Sequence, residues 1–199
     1  MDPQLIERVE QLLAAGGRVL GIAGAPGAGK STLAESIVDT FDGRAQLLPM
    51  DGFHLANEEL VRLGRAHRKG APDTFDVDGY VAALRRVRDR RHDVLAPRFH
   101  REIEEPVANA IRVSVETQLV VTEGNYLTLD RLPWSQVGPL LDECWMLDPD
   151  DDVRRARLIA RHEAHGRTHD EAVRWVHAVD EPNAVLVQST RDRADLVIH

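Results

Sequence analysis

The chain is short of thiols and of lysine. Among 199 residues there is one cysteine, Cys144, and of the 25 lysines and arginines only Lys30 and Lys69 are lysine. A lone cysteine forms no internal disulfide, and within the apolar run around it Cys144 reads as a small core residue. No stretch is long and apolar enough to span a membrane. Met1-Asp2-Pro3-Gln4 lacks the basic start and apolar core of a signal peptide, so a cytoplasmic location is expected. Repeats and low-complexity linkers are missing too. One domain over residues 1–199 is therefore the expectation, long enough for a proper core. Nor is there an excess of base: the net charge of −8 argues against broad binding to nucleic acid or anionic membrane. A hydrophobic content of 43% and a charged content of 29% are those of a soluble globular protein.

What the chain does have is Gly24-Ala25-Pro26-Gly27-Ala28-Gly29-Lys30-Ser31, followed by Thr32. It fits the phosphate-loop pattern G-x-x-x-x-G-K-[ST]. Arg18 to Ala23 before it reads as a buried strand, and Leu33 to Val38 after it continues as an amphipathic helix. Glycines let backbone N–H groups crowd round a phosphate, and the helix N-terminus adds partial positive charge. Lys30 is placed to reach the β- and γ-phosphates of ATP, and the Ser31 hydroxyl to bind Mg²⁺. An arginine-rich chain that still puts lysine here suits that role, because a compact ammonium fits between phosphates where a planar guanidinium does not. A guanine-reading Asn-Lys-x-Asp stretch cannot exist with lysine only at 30 and 69, which disfavours a GTPase switch.

Along the chain, Asp2-Pro3 caps a helix through Leu13 that Gly16-Gly17 stops. Ala45 to Met50 reads as a second strand ending at Asp51-Gly52-Phe53-His54. A short helix is predicted over Asn57 to Leu63, a loop over Arg65 to Asp76, and a helix over Val77 to Arg91. Ala96-Pro97 breaks the chain before Arg98-Phe99-His100, and Ile111 to Val115 reads as a short strand. Gln118 to Thr122 is a buried strand with Glu123-Gly124-Asn125-Tyr126 at its end. Trp134 to Leu141 reads as irregular or helical, and Glu143 to Leu147 as a strand. Helices are predicted over Asp152–His165, His169–Val179 and Asn183–Ser189, and Ala194 to Ile198 closes as a strand. Strands alternating with helices predict an α/β fold, a doubly wound parallel sheet of about five strands covered on both faces. Ligands in such sheets sit beyond the carboxyl ends of the strands, where Asp51, Glu123 and the phosphate loop fall.

Phosphoryl transfer needs a phosphate cradle, Mg²⁺, cations for the moving charge and a group that positions the acceptor hydroxyl. Glu123, at a strand end, has the placement of a Walker-B acid near Mg²⁺. Asp51, beside Gly52, can face the cleft and accept a hydroxyl proton. Arg154, Arg157 and Arg161 share a helix face, with Arg155 beside them and Arg167 just past Gly166. That face can close over a nucleotide as a lid, roughly residues 154–170, or pair with Asp150, Asp151 and Asp152. The arginines between Arg85 and Arg91 read as a solvated helix end. His162, His165 and His169 lack the partners of a zinc site.

These segments resemble the P-loop small-molecule kinases that include uridine kinase, type I pantothenate kinase and phosphoribulokinase. The resemblance rests on Gly24 to Ser31, Met50 to His54, Arg68 to Asp76, Ala96 to His100 and Thr122 to Tyr126. It is closer still to a bacterial branch labelled nucleoside/nucleotide-kinase-like or fructose-transport kinase. It implies Asp51 as catalytic base, Glu123 near Mg²⁺, Arg161 as the lid arginine, and Asn183 near the nucleotide, where Arg157 of the shared helix face is also expected. It also implies an acceptor pocket lined by Arg98, Phe99 and His100, with His54, Lys69 and Tyr126, from the shared motifs, on the acceptor side. The expected activity is ATP-dependent transfer of the γ-phosphate to a hydroxyl of a small nucleoside-, pantothenate- or sugar-like metabolite, in a protein for which a homodimer is open. The alternative is an ATPase or regulatory P-loop module without a small-molecule acceptor.

Overall fold

Val19 and Ala23 point to one side of the strand that leads into the glycine loop, Leu20 and Ile22 to the other, and all four are fully buried. A strand buried on both faces needs a layer on each. The computed structural model, which describes residues 1–199, supplies both. In chain order the elements are α1 (Pro3–Ala14), β1 (Val19–Gly24), α2 (Lys30–Thr40), β2 (Ala45–Leu47), α3 (Asn57–Arg62), α4 (Val77–Asp89), β3 (Val94–His100), β4 (Glu105–Val113), β5 (Leu119–Gly124), β6 (Glu143–Leu147), α5 (Asp151–Ala164), α6 (His169–Trp175), α7 (Glu181–Gln188) and β7 (Leu196–Ile198). Five strands form one parallel sheet in the order β2-β5-β1-β6-β7.

On one face, Val9 and Leu12 of α1 and Ala34 and Ile37 of α2 pack on Leu20, Ile22, Leu119, Val121 and Trp145. On the other, Tyr80, Val81, Leu84 and Val87 of α4 and Val94, Ala96, Ile111 and Val113 of the β3–β4 pair cover Val19, Ala23, Val120 and Met146. Cys144 belongs to this second layer, and burial pushes its thiol up to about 12. No helix is long and apolar enough to cross a membrane.

Helix starts follow their capping residues. Asp2 accepts from the Gln4 amide at 2.9 Å, Asp76 from Gly79 at 2.9 Å, and Asp150 from Asp152 at 2.8 Å. Thr168 and Glu171 cap α6 reciprocally, as the box pattern requires. By contrast α2 starts at Gly29, at φ 97°, with no side-chain cap.

Three sequence expectations need correction. The break at Ala96-Pro97 is absent: β3 runs from Val94 to His100, antiparallel to a β4 that begins at Glu105 rather than Ile111. Pro97 sits where the register shifts between Ala96 and Arg98, a position where no ladder N–H is required. The second strand stops at Leu47, short of Met50, since Pro49 has no N–H to continue the ladder; Met50–Phe53 forms a 3₁₀ turn. In that turn Gly52 lies so close to the hairpin that a Cβ there would stand 2.2 Å from the Pro97 carbonyl oxygen. Finally, the helix predicted to Val179 ends at Trp175, and a π-helical turn, Val176–Asp180, carries the chain without a gap into α7.

Candidate active site

Register decides what meets at the carboxyl edge. Ile22 of β1 pairs with Glu123 of β5, and Val121 of β5 with Leu47 of β2. The glycine loop after β1, Glu123 and the 3₁₀ turn bearing Asp51 therefore lie side by side. The loop is shaped from behind by α5: a Cβ on Gly27, at φ 80°, would stand 2.7 Å from Leu158 Cγ and 2.8 Å from the Arg154 carbonyl oxygen. Ala25 and Ala28 are buried within it. Lys30 is 9% exposed and donates to the Ala25 carbonyl at 3.1 Å. Burial holds its ammonium below the usual lysine range, with the Glu123 and Asp51 charges opposing. The Ser31 hydroxyl donates to Glu123 Oε1 at 3.3 Å. Glu123 is 6% exposed; burial, then the charge of Asp51, pushes its carboxyl up to about 7.

Asp51 is half-buried, and its Oδ2 accepts from an Arg101 nitrogen at 3.3 Å. Burial favours the neutral acid, but the charges of His54, Arg101 and Lys30 prevail and hold it below the usual carboxylate range. His54 Nδ1 lies 2.8 Å from the Asp51 carbonyl oxygen, and its ring packs between Phe75, at 4.1 Å, and Phe99, at 4.8 Å. Burial lowers the imidazole's pKa against the pull of Asp51.

A cleft of about 420 Å³ opens over these groups. Of the residues singled out in the sequence, Pro26, Gly27, Lys30, Ser31, Asp51, His54, Lys69, Phe99, Glu123, Arg161 and Asn183 line it. Gly24, Ala25, Ala28, Gly29 and Thr32 form the rest of the loop and the first turn of α2. Four others lie off the cleft. Arg98 and His100 flank Phe99 on a strand, so when Phe99 faces in they face out; Arg98 is exposed, and the His100 ring lies 3.9 Å from Glu102. Tyr126 is fully buried beneath Phe75, its hydroxyl donating to the Gly70 carbonyl at 2.5 Å. Arg157 is exposed beside the loop, with Nη1 3.7 Å from where a Gly29 Cβ would stand.

The shared arginine face also needs correction. Arg154 is 1% exposed and spent on Asp151 at 3.0 Å, the Pro26 carbonyl at 3.3 Å, and Glu181. It braces the loop from behind and does not face the cleft. Arg155 pairs with Asp152 and Glu181. Arg161 alone of that helix face lines the cleft, joined by Arg167 from the turn after α5. No histidine cluster suited to a metal exists; His162 pairs with Asp180 at 2.9 Å and His169 with Glu163 at 2.7 Å.

Several cleft residues went unnamed as site residues in the sequence, among them Arg101, Asn125, Trp175 and Asp180. Arg101 had a usable signal: it follows Phe99 by two, the same-face spacing of a strand. Asn125 directly follows the strand end. Asp180 offered none, since the π turn that carries it leaves no mark in the periodicity, and Trp175, at the end of α6, carried no motif.

A parallel sheet in this order, with a glycine loop at its carboxyl edge and an uncapped helix behind it, defines a P-loop nucleotide-binding fold. The particular kind follows from comparison with known proteins. Residues 19–199 match the model of the phosphoribulokinase / uridine kinase family, and the chain belongs to that family. It is 34% identical over 210 residues to a Schizosaccharomyces pombe protein provisionally named a uridine kinase, with 98% of this chain and 88% of that one covered. It is 27% identical over 208 residues to pantothenate kinase of Levilactobacillus brevis, covering 91% and 68%. A crystal structure from Silicibacter sp. TM1040, provisionally named a fructose transport system kinase, superposes with a TM-score of 0.85 at 35% identity, covering 92% of this chain and 90% of the other. The chain is thus a phosphotransferase with a hydroxyl acceptor, as its relatives are.

Proposed function

We propose that this kinase transfers the γ-phosphate of ATP to a hydroxyl of a small nucleoside-, pantothenate- or sugar-like metabolite, with Asp51 as the general base. The observation that carries the reading is the convergence of Lys30, Ser31, Glu123 and Asp51 at one carboxyl edge, under a cleft that continues past Asp51 to Phe99 and Lys69. The chain fits the groups it would hold. The first turn of α2 has no side-chain cap, so its N–H groups are available to phosphate oxygens. The Ser31 hydroxyl and Glu123 carboxylate are hard oxygen donors 3.3 Å apart, suited to Mg²⁺, which takes one or two carboxylates plus substrate phosphates. Bound there, Mg²⁺ would neutralise charge on the β- and γ-phosphates.

The residues then divide the work. Gly24 to Thr32 cradle the phosphates, and Lys30 would leave the Ala25 carbonyl to meet them. Arg161 supplies a cation to the moving phosphoryl group, with Arg157 and Asn183 on the nucleotide side. Asp51 orients the acceptor hydroxyl and takes its proton. Phe99, with His54 behind it and Lys69 5.1 Å from its ring centroid, forms the acceptor wall. Residues 154–170, with Gly166 at φ 93° between α5 and α6, serve as a lid within one domain of 199 residues. A thermal-shift screen of metabolites, run with a non-hydrolysable ATP analogue and Mg²⁺, tests the reading, because ligands of the folded state raise the melting temperature. Stabilisation by hydroxyl-bearing metabolites only when the analogue is present supports it. ATP hydrolysis faster than any metabolite-dependent rate overturns it in favour of an acceptor-free ATPase.

A further inference from the structure

Arg167 stands in the turn between α5 and α6, and its guanidinium carbon lies 3.9 Å from the centroid of the Trp175 ring. Both side chains line the cleft. The Arg167 Nη1 nitrogen is buried and has no hydrogen-bond partner. The carboxylate on its own turn, Glu171, is committed to the Thr168 amide and hydroxyl at 2.9 and 2.8 Å. Arg18, the other arginine with buried nitrogens lacking partners, lies at the opposite end of β1, away from the cleft.

The charges around the cleft otherwise find partners. Asp51 has Arg101, and Asp180 has His162. Lys69 donates to Asn57 Oδ1 at 2.6 Å and to the Glu104 carbonyl, and the Glu104 and Glu105 carboxylates face its charge. Lys30, Arg161 and Glu123 are taken up by ATP and Mg²⁺ in the reading above. Arg167 is the cation left over, held flat by an indole and offering a buried donor to the cleft. A neutral acceptor could meet that donor with a carbonyl or hydroxyl oxygen, but it would leave the guanidinium charge without a counter-charge in the cleft. A planar guanidinium is shaped to grip a carboxylate or phosphate through two parallel hydrogen bonds. We infer that the hydroxyl acceptor carries an anionic group, a carboxylate or a phosphate, which Arg167 seats from its shelf on Trp175; this rests on the kinase reading of the same cleft.

The test fills the phosphate loop of the full chain with Mg²⁺ and a non-hydrolysable ATP analogue. Inorganic phosphate and acetate are then titrated separately into wild type, Arg167→Met and Arg167→Lys, followed by tryptophan fluorescence and calorimetry. Methionine keeps the aliphatic contact with Trp175 and removes the charge. Wild type should bind at least one anion saturably. Binding should weaken about 10-fold or more in Arg167→Met, the scale of one hydrogen bond to a charged group, and return in part with Arg167→Lys. Analogue affinity should be equal in all three. Tighter phosphate binding assigns a phosphorylated acceptor, and tighter acetate binding a carboxylated one. Absence of saturable binding by either anion, or equal binding in Arg167→Met, overturns the inference. Loss of analogue affinity in Arg167→Met also overturns it, by moving the arginine to the nucleotide. Failure of wild type to bind the analogue overturns the kinase reading and this inference with it.

Discussion

Replacing Asp51 by asparagine keeps the side chain's shape and its ability to hydrogen-bond a hydroxyl, but removes its capacity to take a proton. The loop is untouched: Lys30 donates to the Ala25 carbonyl and not to Asp51. The lost ion pair to Arg101 is half-exposed, with side chains 36% and 31% accessible, so its contribution to stability is at most about 1 kcal/mol. The fold and ATP affinity should therefore survive. A positioned general base contributes about 10²–10⁴-fold, which at about 1.36 kcal/mol per factor of ten is roughly 3–5 kcal/mol of barrier. The assay is ADP release at saturating ATP, Mg²⁺ and acceptor, with ATP-analogue affinity measured separately by calorimetry. The expected result is a kcat loss in that range with analogue affinity within a few-fold of wild type. A loss that shrinks as Mg²⁺ is raised would place Asp51 on the metal instead. Near-wild-type kcat at saturating Mg²⁺ and acceptor would remove Asp51 from the mechanism and make Glu123 the next candidate base.

Three further outcomes can be checked. Arg161, the arginine of its helix face that lines the cleft, should on change to alanine lower kcat more than it raises the ATP KM, since its charge matters most in the transition state; a change in KM alone would make it a ground-state contact. Phe99→Ala should raise the acceptor KM and leave that for ATP nearly unchanged, and equal effects on both would move the acceptor pocket elsewhere. Glu123 predicts a pH dependence of stability: its folded carboxyl, raised by burial to about 7, is neutral at pH 5 and charged at pH 8, so the unliganded protein carries a cost that appears as pH rises through that range. The shift from the ordinary glutamate value corresponds to at most about 3 kcal/mol. Glu123→Gln should therefore raise the melting temperature at pH 8 by several degrees more than at pH 5, without divalent cations, and an equal rise at both would refute the assigned burial cost.

How much of this was legible in the sequence depended on whether the signal was local. The phosphate loop is a contiguous pattern whose flanks state its context, and the five parallel strands are short apolar runs ending in polar turns. Asp51 and Glu123 could be placed beyond the sheet because each ends such a run. The β3–β4 hairpin was not legible, because Pro97 interrupts the alternation and Asn109, at φ 58°, lies in the stretch of β4 opposite the irregularity. Missing the hairpin hid Arg101 and made Arg98 and His100 look equivalent to Phe99. The arginine helix shows a different limit. Periodicity placed Arg154, Arg157 and Arg161 on one face, yet the absence of a side chain at Gly27 brings α5 against the loop, and that contact buries Arg154 while Arg161 reaches the cleft. Such distinctions arise from packing between distant segments, as does the π turn that brings Asp180 to His162.

The central claim is that a phosphoryl group moves from ATP to a small acceptor in this cleft. Incubating the protein with ATP labelled with ³²P at the γ-phosphate, Mg²⁺ and pooled hydroxyl-bearing metabolites, then separating the products, tests it directly. The account predicts a labelled small organic phosphate that forms with wild type and disappears with Lys30→Ala, a variant whose fold should be intact. Release of the label only as inorganic phosphate, at a rate no metabolite increases, or an undiminished product with Lys30→Ala, would contradict it.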